Sequence, residues 1–311
     1  ENLSYNKHNV RLNVSAKLSE NLDVFGSLSL GTSKKTSATG SSVGDIYGLY
    51  RWMLGWQPDY PVWTEGGLPI DIGWTANIPA QVRGDAGYIQ DNNLRPAMNV
   101  SATYKIPYIK GLSATASFSK AYTNSRNKTY QKRYKMYVTK KTGKHMFSIK
   151  DEDIIGTTTS SQISKDYLQE TSTWGDNWQY NLQLSYDRTF KDVHNLKATL
   201  VFEKYELNNG GLSAGIENFP VYNTDQWWAT SSDRADSYVA RDADYTDQSS
   251  GRQSWIGQLF YDYNGKYLFN ASYRYDGSMN FSPDNRWGFF PSGSLGWIIS
   301  KESFFNVEAI D

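Results

Sequence analysis

From Val10 to Leu18 every second residue is apolar: Val10, Leu12, Val14, Ala16 and Leu18, with Arg11, Asn13, Ser15 and Lys17 between them. Successive side chains on a strand point to opposite faces, so this run predicts a strand with one apolar and one polar face. Ser19-Glu20-Asn21 makes a short polar turn, and Leu22, Val24, Gly26, Leu28 and Leu30 then resume the alternation. Two such runs joined by a tight turn form a hairpin.

The unit recurs along the chain. Met98, Val100, Ala102, Tyr104 and Ile106 lead through Pro107 and Gly111 to Leu112, Ala114, Ala116 and Phe118. Trp178, Tyr180, Leu182, Leu184 and Tyr186 turn at 191–195 into Leu196, Ala198, Leu200 and Phe202. Trp255, Gly257, Leu259 and Tyr261 turn at Asn264-Gly265 into Phe269, Ala271, Tyr273 and Tyr275, and a last strand runs from about Trp287 to Ile299. These runs predict about nine strands of roughly nine to fourteen residues. Globular strands usually have about five or six, whereas a tilted membrane-spanning strand needs about nine to eleven.

The connections sort by length. Residues 19–21, 107–111, 191–195 and 264–266 are tight, 35–92, 135–174 and 208–250 are long, and 277–286 is intermediate. Short turns at one end and long loops at the other are the plan of an outer-membrane β-barrel, with the short end periplasmic. The aromatic load, 23 Tyr, 13 Phe and 11 Trp, fits side chains with an apolar body and a polar tip at a bilayer interface. A secreted, carbohydrate-binding β-protein is the competing account of that aromatic load. No apolar run approaches the roughly 18–20 residues of a transmembrane helix.

Arg11, Lys17, Asn99, Lys105, Asn181, Gln183, Lys197, Glu203, Gln258, Asn270 and Arg274 all fall on the polar side of the alternation. A face this polar predicts a wide, hydrated lumen, because small barrels fill their interiors with packed side chains. Nine strands are too few to enclose one, and hydrocarbon does not tolerate open strand edges. The chain also opens at Glu1 with neither a basic nor an apolar leader segment. The expectation is therefore a partial barrel domain over 1–311, its remaining strands (about 22 in all) lying elsewhere in a longer protein.

Other chemistry is sparse. Lys plus Arg and Asp plus Glu are equal at 32 each, so nothing steers toward nucleic acid. There is no cysteine, which excludes disulfides, thiolate metal sites and a thiol nucleophile. His8, His145 and His194 lack metal-ligand spacing, with His194 read as serving its turn. No nucleophile motif or P-loop is complete, so no enzymatic activity and no cofactor are expected. Asp242, Asp244 and Asp247 form an acidic loop that can be read as a Ca²⁺ site, although it lacks the glycine and terminal glutamate of an EF-hand. Trp52, Trp56, Trp63 and Trp74 in the first long loop, with Trp227 and Trp228 in the third, are the candidate substrate or lid contacts. Packing within the loops is the alternative for them.

The stretch Tyr273 to Trp297, YRYDGSMNFSPDNRWGFFPSGSLGW, resembles the R-x-DGS-x-x-F…NRWG-x-FPS…GW segment of SusC/RagA-type TonB-dependent transporters. WIGQLFYDYNGKYLFNAS before it, DRTFKDVHNLKATLVFE (Asp187 to Glu203) and NKHNVRLNVSAKLSENLDV (Asn6 to Val24) resemble the same family in the same order. Met279-Asn280 departs from the pattern, where the family more often has Ser and a basic residue. Asp276-Gly277 and Ser282-Pro283-Asp284-Asn285 are turn formers, and Trp287 and Phe289 fall just beyond them, where an interfacial aromatic girdle belongs. The resemblance implies import of oligosaccharides or peptides across the outer membrane of a Bacteroidetes-like Gram-negative bacterium. It also implies coupling to TonB through an upstream plug and TonB box, and a SusD-like surface lipoprotein as partner. A passive or structural outer-membrane barrel is the alternative within the same architecture.

Overall fold

The alternating runs become one antiparallel meander. The computed structural model describes residues 3–39, 54–74, 76–143, 146–161, 163, 165–217, 224–229, 237–240 and 248–305. Its long strands are β1 (Ser4–Ser19), β2 (Leu22–Ala38), β3 (Gly87–Lys105), β4 (Leu112–Gln131), β7 (Tyr167–Phe190), β8 (His194–Glu217), β10 (Gln248–Tyr263), β11 (Tyr267–Ser278) and β12 (Trp287–Trp297). Each pairs with the next in that order, and the short β9 (Ser237–Ala240) adds to the far end of β8. β5 (Lys135–Thr139) and β6 (Ile154–Thr159) form a separate hairpin in the second long connection. Among the described residues no helix is long and apolar enough to cross a membrane.

Register carries the two faces across the whole sheet. Leu184 pairs with Leu200, Leu200 with Gly257 and Gly257 with Tyr273, all on one side. One residue away, Ser185 pairs with Thr199 and Thr199 with Gln258 on the other side. Every polar-side residue named from the sequence lies on that second face. Slipping any strand by one residue would invert its faces, and the tight turns prevent this. Lys191-Asp192 and Asn264-Gly265 both have positive φ, the primed turn that suits the twist of a two-strand hairpin. Gly111, at φ 90°, lies so near the Asp187 carbonyl that any Cβ would clash.

Strand length departs from the sequence reading. β7 and β8 each run 24 residues, well beyond fourteen, and β3 and β4 run 19 and 20. The extra residues lie at the long-loop ends, as in Thr123-Asn124-Ser125-Arg126-Asn127-Lys128. Their backbone ladder to β7 continues through all six, but neither face is apolar there, so the alternation that marks a strand is missing. The second difference concerns His194. It belongs to β8 rather than to the turn, with its Nδ1 2.6 Å from the Tyr261 hydroxyl and its ring 5.0 Å from that of Tyr263.

The first long connection is also more ordered than its sequence indicates. Helix α1 (Ile78–Arg83) begins at Asn77, whose side chain accepts a hydrogen bond from the Ala80 amide at 3.0 Å. The same Asn77 is buried and donates to the Val62 and Ile70 carbonyls at 2.9 and 3.1 Å, and the Tyr134 hydroxyl bridges its backbone. Satisfying a buried amide this fully ties the loop to Tyr134, just ahead of β5. Ala80, Ala86, Tyr134, Met136 and Ile163 form the small core of this cap.

Candidate functional site

The apolar face is exposed. Val10, Leu12, Val14, Leu28, Val100, Leu182, Leu184, Leu200 and Leu259 are all open, Leu182 at 54% and Leu12 at 57% of full exposure. A contiguous apolar surface on this scale has no place in water and is the outer wall of a barrel. Two aromatic belts bound it. At the long-loop side Trp178 stacks on Tyr180 at 5.7 Å, Tyr180 meets Phe202 at 5.9 Å, and Phe202 meets Trp255 at 4.7 Å. Tyr275, across from Trp255, stacks on Trp287 at 4.9 Å, and Phe289 lies 5.9 Å from Tyr273. Trp287 and Phe289 thus hold the girdle positions expected of them. At the tight-turn side His194, Tyr263, Tyr267 and Trp297 form a second belt, with centroids 5.0 to 6.5 Å apart.

Along β10 the belts are the eight residues from Trp255 to Tyr263 apart, about 27 Å of strand. Tilted by about 40°, that is about 20 Å across, close to the roughly 25 Å apolar band of outer-membrane barrels. Just beyond the outer belt the same face turns charged: Lys120 pairs with Asp176 and Lys204 with Glu206 at 2.9 Å. Lys204 also lies 5.3 Å above the Trp178 ring.

The polar face carries matched charges on β7–β12. Glu203 accepts from Gln179 at 2.8 Å and meets Arg252 at 3.3 Å, while Arg274 pairs with Asp276 at 3.1 Å. Near the tight turns Lys105 pairs with Asp23 at 2.8 Å and Lys197 with Asp187 at 3.1 Å.

The candidate tryptophans separate into distinct settings. Trp56 and Trp74 meet edge to face at 5.5 Å, and the Trp56 Nε1 donates to the Tyr60 carbonyl at 3.1 Å. Trp63 packs on the core of the cap with the Arg83 guanidinium 3.9 Å over its ring. Trp227 and Trp228 occupy a short 3-10 turn, and Trp228 is 78% exposed. Trp52 lies outside the described residues, as do Asp242, Asp244 and Asp247 and His145.

What holds the Trp227–Trp228 turn is not visible in the sequence. Asp225 accepts a hydrogen bond from the Tyr88 hydroxyl of β3 and another from the Lys128 ammonium of β4 at 2.9 Å. Lys128 also donates to the Asp225 carbonyl at 2.7 Å. Partial burial pushes the Asp225 carboxyl up, but the bonds from Tyr88, Lys128 and Gln226 outweigh it and hold the carboxyl at about 2. Burial and the same carboxylate push the Tyr88 phenol up. The partners are 97 and 137 residues away in sequence, so no local signal marks them.

A carboxyl held below its ordinary value adds stability that is complete above about pH 4 and is lost as the pH falls toward 2. Hydrogen exchange of residues 224–229, corrected for intrinsic rate, should therefore stay protected down to about pH 4 and loosen below it. Asp225→Asn should loosen the segment at neutral pH and flatten that dependence. Equal protection in the variant would remove the anchor.

Comparison with known proteins agrees with the wall geometry. No family model matches the chain. It is 28% identical over 151 residues to TonB-dependent receptor P3 of Formosa agariphila, which covers 49% of this chain and 14% of that receptor. It is 32% identical over 130 residues to TonB-dependent receptor SusC of Bacteroides thetaiotaomicron, covering 42% of this chain and 12% of SusC. The matched stretches are thus a small part of the relatives' length. Among solved structures, the RagAB peptide transporter matches with TM-score 0.66 at 15% identity, over 95% of this chain and 30% of that one. The closed-closed state of the RagAB peptide importer matches with TM-score 0.67 at 15% identity, over 97% and 31%. At that identity the likeness shows the fold. The chain is thus SusC/RagA-like, a stretch of antiparallel barrel wall similar to that of TonB-dependent receptors.

Proposed function

We propose that this chain forms part of the wall and outer loops of a TonB-dependent outer-membrane importer of oligosaccharides or peptides. The whole barrel has about 22 strands, and the plug and TonB box lie in other parts of the same protein. The observation that carries this reading is the exposed apolar band between two aromatic belts, in a chain similar to TonB-dependent receptors. The outer membrane of a Bacteroidetes-like bacterium is the matching compartment, and a SusD-like lipoprotein above the long loops is the matching partner. Trp56, Trp74, Trp227 and Trp228, with Trp52 and Trp63, are assigned to cargo or lid contact. Flat aromatic faces serve sugar rings and protein partners alike.

The test uses the whole receptor in its own outer membrane. Oligosaccharide or peptide uptake should fall to background when TonB is deleted. Trp56→Ala with Trp228→Ala should lower uptake several-fold at unchanged surface abundance. Uptake indifferent to TonB would favour a passive barrel, and unchanged uptake in the double variant would return these residues to loop packing.

A further inference from the structure

The polar face is uneven in charge. Its ion pairs lie on β7–β12 and near the tight turns. Toward the loop ends of β1–β3 the pattern changes. There Lys7, Arg11, Lys35 and Arg95 line one open recess of about 790 Å³. All four are exposed, and among the described residues none takes part in an ion pair. Asp91, the acid in the lining, is engaged by the Asn127 amide at 2.5 Å. The chain as a whole is neutral, so this excess is a matter of placement. With Asp91 directly across from Lys35, the lining still holds four cations to one acid, and such an excess on a concave wall focuses a positive potential that attracts anions.

Register sets the recess in rows. Tyr5 pairs with Lys35, Lys7 with Ser33, Asn9 with Gly31, and Arg11 with Ser29; the same β2 residues continue to Asp91, Asn93, Arg95 and Ala97. Rows on one face are about 7 Å apart, so the four extend for about 20 Å. The floor is low where Ser29, Gly31 and Ala97 meet, and a Cβ on Gly31 would come within 3.3 Å of the Asn9 side chain. Long cationic side chains therefore flank a floor of small residues.

We propose, resting on the importer reading above, that this recess binds the carboxylate or sulfate groups of an acidic oligosaccharide. Guanidinium forks at Arg11 and Arg95 match planar or tripod oxyanions through paired hydrogen bonds. Lys7 and Lys35 add point charges at the adjoining rows. The hydroxyl and amide side chains between them, Ser33, Asn9 and Asn93, both donate and accept, as sugar hydroxyls do. That mixture fits a polyhydroxylated chain with acid groups at intervals better than a run of peptide carboxylates.

The whole receptor, purified in detergent, tests this with three probes: hexagalacturonate, its full methyl ester and hexaglutamate. Hexagalacturonate should bind, weaken as ionic strength rises, and lose about tenfold or more in affinity in Arg11→Gln/Arg95→Gln. The ester should bind weakly and ignore the substitutions, and Lys110→Gln, at a tight turn, should bind as wild type does. Unchanged affinity in the double variant, equal binding of acid and ester, or tighter binding of hexaglutamate would each overturn the proposal. So would a uniform loss for every probe with a fall in thermal stability, because the cations would then hold protein to protein. TonB-dependent uptake confined to neutral oligosaccharides would sink the acid preference alone. Acid-selective binding with uptake that ignores TonB would sink the importer reading and leave the recess standing.

Discussion

Leu184→Arg or Leu200→Arg should each destabilise the folded barrel by about 2–4 kcal/mol, while Thr199→Arg, one residue away, should be nearly silent. Leu184 and Leu200 face each other across β7 and β8 within the exposed apolar band, at 47% and 38% exposure. Both lie between the belts set by Phe202–Trp255 and His194–Tyr263, out of easy reach of water for a guanidinium. Thr199 points to the polar face between Ser185 and Gln258, where a charge stays hydrated. The contrast is the sharp part of the expectation, since a soluble sheet would penalise neither exposed leucine heavily. Urea unfolding of the whole receptor in lipid, followed by the shift of the folded band on a heat-modifiable gel, measures it. Comparable damage at 184 and 199 would mean that the leucines do not face lipid.

The same contrast explains what could be read from the residues and what could not. Between the belts, lipid on one side and water on the other impose opposite chemistries, so each strand writes its faces into the sequence. Trp178 to Tyr186 and Trp255 to Tyr263 are legible for that reason. Above the outer belt both faces meet water, and Thr123 to Lys128 carries no alternation to mark it as strand although its ladder to β7 is intact. The cap over the wall is not legible, because the bonds of Asn77 to Val62, Ile70 and Tyr134 join residues with no shared period. The anchoring of Trp228 by Asp225 likewise depends on two strands distant in sequence. The six tryptophans stood out by type alone, and type does not separate a ring packed on Arg83 from one left open like Trp228.

Expressed alone, this 311-residue chain should fail to form a closed, stable pore or a cooperative soluble monomer. The meander runs from β1 to β12 and, among the described residues, those two strands do not pair with each other. β1 is 16 residues long and β12 is 11, and along each free edge every second residue points its N–H and C=O away from the sheet. In hydrocarbon each such unpaired group costs several kcal/mol, so one free strand alone outweighs the roughly 5–15 kcal/mol that folding usually leaves. Water removes that penalty but exposes the apolar band from Val10 to Leu295 instead, and a long apolar edge strand recruits other chains. The two solvents therefore exclude the isolated chain for different reasons, and only added strands satisfy both edges and face. Refolding the chain into detergent or lipid should give aggregates or strand-exchanged oligomers without a heat-modifiable band. A sharp two-state unfolding transition of a soluble monomer would place the apolar face inside a sandwich and overturn the barrel assignment.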